Sequence, residues 1–205
     1  LTTYPDNETW IAPQLVDYLG LHTDLEQVYS AIATDSRLVS AISRYNGMRV
    51  LRQDPWECLI SFICTSASNI PRITKNIESI CEAFGRPIAD NDVVRHTFPG
   101  PEALAEGTEA QIRDLGLGYR AAYLVSTARI IAEGNLDLYA LREASYEEAL
   151  EVLVSMDGVG DKVANCVLLF SMDKPAAFPV DTHINQRIHE CYLNNTKLNK
   201  VKLRV

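Results

Sequence analysis

The sequence predicts an all-α fold, and three observations carry that prediction. Apolar residues recur at helical spacing along most of the chain, capping residues stand directly before several of these stretches, and alternation of period two is scarce. A first helix is predicted over Leu25–Ile32, and the pattern resumes over 38–42 after Asp35 and Ser36. Only the stretch 48–51 has an extended pattern.

The next two helices have clear start or stop signals. Asp54 and Pro55 place a capping acceptor before a proline in the first helical turn. The helix that follows, 56–66, is apolar on nearly every side, which predicts that it is buried. The helix 71–84 has one apolar stripe and is followed by Gly85. The remaining predicted elements are a polar connector at about 87–101 and helices at 109–115, 119–133, 145–156, 161–172 and 182–191.

Length, composition and cysteine usage limit the class of protein. A chain of 205 residues with 47% hydrophobic residues suits one globular domain or two small lobes that share a cleft. We expect no membrane association, because no apolar run approaches the roughly 18 residues of a membrane helix and no secretory signal opens the chain. Because the first residue is Leu1, we expect a processed or trimmed chain.

The five cysteines are odd in number and have no CxxC spacing. This pattern argues against a zinc site, an iron–sulfur cluster and a disulfide framework. A reducing intracellular compartment therefore fits best, the nucleus of a eukaryote or the cytoplasm of a prokaryote. We also expect a monomer that needs no cofactor.

The formal net charge of −8 argues against a protein that binds nucleic acid through a basic surface. Composition alone favours an acidic cytosolic enzyme or an interaction module. A DNA-binding hypothesis must therefore depend on local features of the chain.

Two segments have the same Gly-apolar-Gly pattern between predicted helices, 115–120 and 156–162. Each predicts a tight turn, because glycine adopts positive φ without penalty. The first copy is equally consistent with a plain helix–turn–helix corner. In the second, we expect Val159 to plug the turn while the amides around Gly158 and Gly160 point outward. Together with the helix dipole, these amides would bind an anion such as a DNA phosphate without any basic side chain.

Lys162 follows directly, in the first turn of the next helix, where the dipole disfavours a cation. We expect the dipole to lower the pKa of Lys162 from about 10.4, which would make its amine a better nucleophile. The carboxylate of Asp161 is expected to raise the same pKa. Cys166, four residues later, lies on the same helix face. A surface lysine above a buried thiol is the plain alternative. Downstream, the proline-bounded loop 174–183 brings Asp181 to a helix start, where it is at least an N-cap.

The sequence resembles the helix–hairpin–helix DNA glycosylases, and most of all their 8-oxoguanine glycosylase branch. The resemblance lies in the order of the hairpin, the lysine, the proline-rich loop and the aspartate. The resemblance covers about 45–189, and its distinctive stretches are 50–58, 61–64, 69–73, 115–121 and 158–166. It implies a two-lobed helical fold over 1–205, with a helix–hairpin–helix motif at about 146–172 beside the active-site cleft. Members of the endonuclease III branch normally end in four cysteines that hold an iron–sulfur cluster, and this sequence lacks that arrangement. Members of the adenine-specific branch usually lack the lysine.

The resemblance also implies the reaction and its residues. The family flips a damaged nucleotide out of duplex DNA. Lys162 would displace 8-oxoguanine paired with cytosine and form a Schiff base that undergoes β-elimination, with Asp181 stabilising the charge on the sugar and Cys166 lining the base pocket. The implied DNA-binding residues are Asn69, Arg72, Tyr119, Arg120, Gly158, Val159, Gly160 and His183. No catalytic metal is implied, and a structural cation at the carbonyls of Val154, Met156 and Val159 is typical of such hairpins.

The chain departs from the family pattern in three places. Ala67 stands where the family has the first asparagine of a run, which bears on selectivity for the opposite base. We also expect the family's N-terminal sheet domain and its C-terminal pocket helix to be missing. Two alternatives stay open, a glycosylase for another oxidised base and an inactive fragment that binds DNA.

Overall fold

The computed structural model describes residues 8–90 and 93–193, and the chain divides into two compact units, Leu1–Gln53 and Asp54–Val205. Within the described ranges, the helices are all too short or too polar to cross a membrane. The predicted all-α class is confirmed. One short strand pair is the exception.

The first unit contains helices α1 (Glu8–Tyr18), α2 (Leu25–Ile32) and α3 (Ser36–Arg44). Asp24 and Asp35 cap α2 and α3 by accepting two backbone N–H groups each. Helix α2 has the predicted bounds, whereas α3 begins at Ser36, two residues before the predicted pattern at 38–42. The stretch 48–51, predicted to be extended, forms no strand within the described part of the unit. There Arg49 instead donates to the Gly20 carbonyl over 2.6 Å.

The second unit contains eight helices among its described residues, together with a strand pair. The elements are α4 (Pro55–Ile63), α5 (Ile70–Phe84), β1 (Pro87–Asp90), β2 (Val93–His96), α6 (Pro101–Ala105), α7 (Glu109–Ile112), α8 (Arg120–Ala132), α9 (Tyr146–Val154), α10 (Asp161–Ser171) and α11 (Thr182–Cys191), with a π-helical turn at Arg113–Leu117 and a 3-10 turn at Ala140–Arg142.

The connector predicted to be irregular holds the two strands, so that detail of the prediction was wrong. β1 and β2 pair antiparallel, with Pro87 opposite His96. The β-branched pair in β2 favours a strand, yet Val93 and Val94 are 53% and 65% exposed. Because the described side chains of β2 face solvent rather than a core, the sequence has no apolar–polar alternation there to reveal the strand.

The core of the second unit is built around α4, as the apolar character of that helix predicts. Cys58, Leu59, Ile60 and Ile63 are fully buried, and α4 packs against both α10 and α8. The indole N–H of Trp56 donates to the Pro99 carbonyl over 2.8 Å, which fixes the end of the connector. One side of helix α10 is therefore packed against the core, and the first turn of the helix follows directly after the hairpin.

The hairpin between α9 and α10 depends on one glycine. Gly158 has a φ of +78°, and a Cβ there would lie 2.4 Å from a ring carbon of Tyr123. Gly160 has a φ of −82°, so of the two glycines in this hairpin only Gly158 has the positive φ that the tight turn requires. The backbone of Gly160 is extended because it is the N-cap of α10, and this conformation is open to any residue.

The substitution Gly158→Ala is expected to destabilise the second unit by at least about 2 kcal/mol. Left-handed backbone costs a residue with a Cβ roughly 1–2 kcal/mol, and the contact with Tyr123 adds an overpacking cost. Urea unfolding measures the change.

Gly134→Ala is the matched control, since Gly134 has a φ of +72° but no other heavy atom within 4 Å of its Cβ position. It is expected to lose about 1 kcal/mol. Equal losses at the two positions would show that the approach of Tyr123 does not restrict position 158.

Candidate active site

Lys162, the second residue of α10, points toward α4 and is half-buried. Its Nζ donates to Oγ1 of Thr65 over 3.3 Å and stands 5.1 Å from the centre of the Phe62 ring. The Thr65 hydroxyl donates in turn to the Phe62 carbonyl over 2.7 Å, which directs an oxygen lone pair at the lysine. The Lys162 side chain is thus held against α4 and the turn that follows it, rather than extending into open solvent.

The Cys166 thiol lies one helical turn further on and is only 4% exposed. Burial raises the pKa of Cys166 above its ordinary value. The Lys162 ammonium lowers this pKa by its charge and by a hydrogen bond, and the Asp181 carboxylate raises it. Lys162 and Asp181 therefore both lie near enough to this thiol to influence its pKa, and a shared active site for the three residues stays a prediction.

Asp181 is the N-cap of α11, and its Oδ1 accepts the Ile184 N–H over 2.7 Å. The predicted capping role is thus confirmed. The loop before it is anchored by the buried side chains of Ala177 and Val180, and the Phe178 N–H donates to Oδ1 of Asn165 over 3.2 Å. The position of the aspartate is consequently set by contacts of the loop with α10.

The start of α10 carries no side-chain cap from its N-cap residue, Gly160, and the starts of α6 and α8 are alike in this. Ser145 and Asn69, in contrast, cap α9 and α5 with side-chain oxygens. Val159 is 3% exposed and belongs to the core, so it plugs the hairpin as predicted. That the first amides of α10 bind an anion stays a prediction.

The carbonyls proposed for a structural cation lie around the same turn. The Met156 carbonyl accepts the Val159 N–H over 3.1 Å, which leaves it a second lone pair. A cation at the carbonyls of Val154, Met156 and Val159 stays a prediction.

Four of the predicted DNA-binding side chains are exposed. Asn69 caps α5 by accepting the Arg72 N–H over 3.1 Å, and Arg72 donates to the Gly116 carbonyl over 3.1 Å. Tyr119 is half exposed and meets Tyr123 edge-on at 5.9 Å. His183 is exposed in the first turn of α11.

Arg120, the fifth of them, is only 3% exposed. Its Nε donates to the Ser66 carbonyl over 2.7 Å, and its Nη atoms donate to the carbonyls of Leu117 and Ala67 over 3.1 and 3.0 Å. Its guanidinium also lies 4.9 Å from the Tyr119 ring centre. Arg120 therefore fixes the backbone of the loop after α4, and its role in reading a base stays a prediction.

That loop contains a strained residue. Ala67 has a φ of +46°, in the left-handed region that a side chain with a Cβ disfavours. It is the position where the sequence departs from the asparagine typical of the family, and asparagine tolerates this conformation better than alanine. The strain coincides with the two carbonyls, of Ser66 and Ala67, that Arg120 holds.

Sequence reasoning missed three residues of this site. Thr65 and Phe62 carry no signal, since they lie about a hundred positions before the lysine. Asn165 does carry one, because a polar residue inside an apolar helix must find buried partners.

Comparison with known families decides the affiliation. Residues 60–204 match the family model described as HhH-GPD superfamily base excision DNA repair protein. The chain belongs to the HhH-GPD superfamily. Residues 4–59 match a second model, 8-oxoguanine DNA glycosylase, N-terminal domain. The described residues of that segment are mainly helical. Whether the N-terminal sheet domain and the C-terminal pocket helix are missing stays a prediction.

Several HhH-GPD relatives are similar over most of this chain. An N-glycosylase/DNA lyase of Saccharomyces cerevisiae is 38% identical over 96% of the chain, and N-glycosylase/DNA lyase OGG1 of Arabidopsis thaliana is 39% identical over 84%. The chain spans 55% and 48% of these two relatives. The solved structure of Clostridium acetobutylicum 8-oxoguanine glycosylase/lyase with double-stranded DNA has a TM-score of 0.90 and 33% identity, over 97% of this chain and 68% of that one.

Ala67→Gly is expected to stabilise this HhH-GPD protein by up to about 1 kcal/mol, because glycine removes the left-handed strain but adds chain entropy in the unfolded state. Urea unfolding gives the change. Ala122→Gly, in the first turn of α8, should have the opposite sign and cost up to about 1 kcal/mol. A loss at position 67 would mean that the loop does not keep a positive φ in solution.

The pKa of Cys166 is expected to move in opposite directions in two variants. Lys162→Met removes the nearby positive charge that stabilises the thiolate, so the pKa should rise. Asp181→Asn removes a negative charge, so the pKa should fall. The pH dependence of the Cys166 ¹³Cβ chemical shift measures both.

Cys64 is the internal control. Burial raises the pKa of this thiol to about 12, and the charge that lowers it is that of Arg120. Its pKa should be the same in both variants. A shift of Cys166 in the same direction in both variants would show that the two charges do not converge on this thiol.

Proposed function

We propose that this chain is the catalytic part of an 8-oxoguanine DNA glycosylase with lyase activity, acting on duplex DNA in which 8-oxoguanine is paired with cytosine. The observation that carries the proposal is the placement of Lys162 at the start of α10, between Thr65 and Phe62 and beside Cys166, on which Asp181 also acts. A solved relative is an 8-oxoguanine glycosylase/lyase in complex with DNA containing cytosine opposite 8-oxoguanine, and this supports the choice of substrate.

The chemistry begins when the damaged nucleotide leaves the stack, since its C1′ is out of reach inside the duplex. The unprotonated Nζ of Lys162 forms a bond to C1′ while the glycosidic bond breaks, and the base leaves with the electron pair and takes up a proton. Opening of the sugar gives a protonated Schiff base. Loss of a C2′ proton then expels the 3′ phosphate and cuts the strand.

Asp181 contributes electrostatically. Positive charge develops on the sugar as the base departs, and a carboxylate in a site that excludes water stabilises that charge strongly. Its capping bond to Ile184 fixes one oxygen, so the carboxylate needs little reorganisation during the reaction.

The hairpin explains how a chain with a net charge of −8 grips DNA. The hairpin of Gly158, Val159 and Gly160 would bring a backbone phosphate to the amides at the start of α10, where the helix dipole attracts it without lysine or arginine; the Val159 N–H itself donates to the Met156 carbonyl. His183, in the first turn of α11, would bind a second phosphate. These phosphates position the duplex and do not read its sequence.

Lesion recognition falls to the remaining predicted residues. Cys166 lines the pocket for the flipped base, and Tyr119, half exposed, inserts into the stack beside the vacated position. Arg72, Arg120 and Asn69 face the orphaned cytosine. Arg120 must exchange the carbonyls of Ser66 and Ala67 for the base in order to do so.

The setting of the activity is part of the proposal. All five cysteines lie among the described residues and are thiols, which is consistent with a reducing intracellular compartment. We infer a monomer that acts in the nucleus of a eukaryote or in the cytoplasm of a prokaryote.

Borohydride trapping on a duplex with 8-oxoguanine opposite cytosine tests the proposal. The unchanged chain should form a covalent complex, and Lys162→Ala should form none while its Kd for the duplex changes by less than about threefold. Asp181→Asn should slow base release by about a hundredfold or more, because it removes a charge that acts in the transition state.

Lys174→Ala is the control, since its Nζ donates to the Arg142 carbonyl rather than toward the site. It should still be trapped at the rate of the unchanged chain. Full activity of Lys162→Ala would refute the assignment of the nucleophile, and an unchanged chain that leaves the lesion intact would refute the proposed reaction.

A further inference from the structure

Asn165 is a fully buried polar side chain in the middle of α10. Its Oδ1 accepts two hydrogen bonds, from the Tyr146 hydroxyl over 2.9 Å and from the Phe178 N–H over 3.2 Å. Its Nδ2 donates to the Asp161 carbonyl over 2.8 Å. One amide group thus joins three segments: the first hairpin helix, the start of α10 and the proline-rich loop.

These partners lie next to the reacting groups. Asp161 directly precedes Lys162, and Phe178 is three residues before Asp181. The distance along the chain from Lys162 to Asp181 is nineteen residues, but through Asn165 the two are linked by two hydrogen bonds and short pieces of backbone.

We propose that Asn165 is a positioning residue that sets the placement of Asp181 relative to Lys162. The inference builds on the proposed function, in which these two groups act on one sugar. Asn165 touches neither the sugar nor the base. It acts through the Phe178 amide on one side and the Asp161 carbonyl on the other.

Apolar burial alone does not provide this placement. Ala177 and Val180 hold the loop against the core, but apolar contact is not directional and permits small shifts along the surface. Hydrogen bonds to a single amide are directional and fix the register of the loop. The side chain of Phe178 is 41% exposed, so this residue is held in large part through its backbone.

Register matters because a misplacement of about 1 Å in a reacting constellation can cost roughly a hundredfold in rate. Tyr146 completes the arrangement, since its hydroxyl holds the Asn165 amide in the orientation that accepts from Phe178. Removing that hydroxyl loosens the amide but leaves its bond to the loop.

Single-turnover base release by three variants tests the inference. Asn165→Ala should slow release by at least about tenfold, and Tyr146→Phe by a few-fold, with the Kd for an undamaged duplex changed by less than about threefold. Asn165→Asp keeps an oxygen that accepts from Phe178 but loses the donor to the Asp161 carbonyl, so its rate should lie between those of Asn165→Ala and the unchanged chain. If Asp is as slow as Ala, the acceptor is not what positions the loop, and the inference fails.

Ile112→Val is the control for a purely structural role. Ile112 is fully buried in α7, and its shortening lowers stability without touching the loop or α10. Its rate per folded molecule should equal that of the unchanged chain. A similar rate for Asn165→Ala, with only its Tm lowered, would overturn the inference.

Amide hydrogen exchange gives a result that needs no activity. In Asn165→Ala the N–H groups of Phe178 and Ile184 should both exchange faster, because the loop and the cap at Asp181 loosen together. Acceleration at Phe178 alone would show that the bond does not govern Asp181. An inactive unchanged chain would refute the proposed function, and this exchange pattern would still decide the role of Asn165.

Discussion

Helices α4 and α10 bury their faces against each other, and each contributes one half of the candidate site. Helix α4 and the turn after it bring Phe62 and Thr65, while α10 brings Lys162 and Cys166. Protein cores are close-packed, so neither helix can shift without repacking the other. The contact that stabilises the second unit is for this reason also the contact that orients the lysine. The loop to Asp181 is in turn built on α10, through Asn165.

The distribution of charge follows from the same arrangement. A chain with a net charge of −8 has little long-range attraction for a polyanion, so the DNA binding that we propose would depend on short-range, oriented groups. Backbone amides at a helix start meet that need, and they are placed by the hairpin rather than by composition. Val159 in the core and the left-handed Gly158 hold the turn rigidly enough for the amides to keep their direction.

Much of this could be predicted from the sequence, because it depends on local spacing. The i, i+4 relation of Lys162 and Cys166, the plugging by Val159 and the cap at Asp181 all follow from rules that involve neighbouring residues. The contact of Lys162 with Thr65 joins residues 97 positions apart, and only packing determines it. The sequence did not reveal the burial of Arg120, because a charged residue is expected at the surface, and strand β2, whose side chains are mostly exposed, gave no periodic signal.

Gly160 has no side chain with which to cap α10, whereas the neighbouring helices α9 and α11 are capped by the side chains of Ser145 and Asp181. An anion bound there would take the place of the missing side chain and become the terminal group of the helix. Binding and folding would then be thermodynamically linked, because a ligand that binds only the native state raises the melting temperature of the protein. In the proposed function that anion is a DNA phosphate, so added salt would weaken both the complex and the stability of α10.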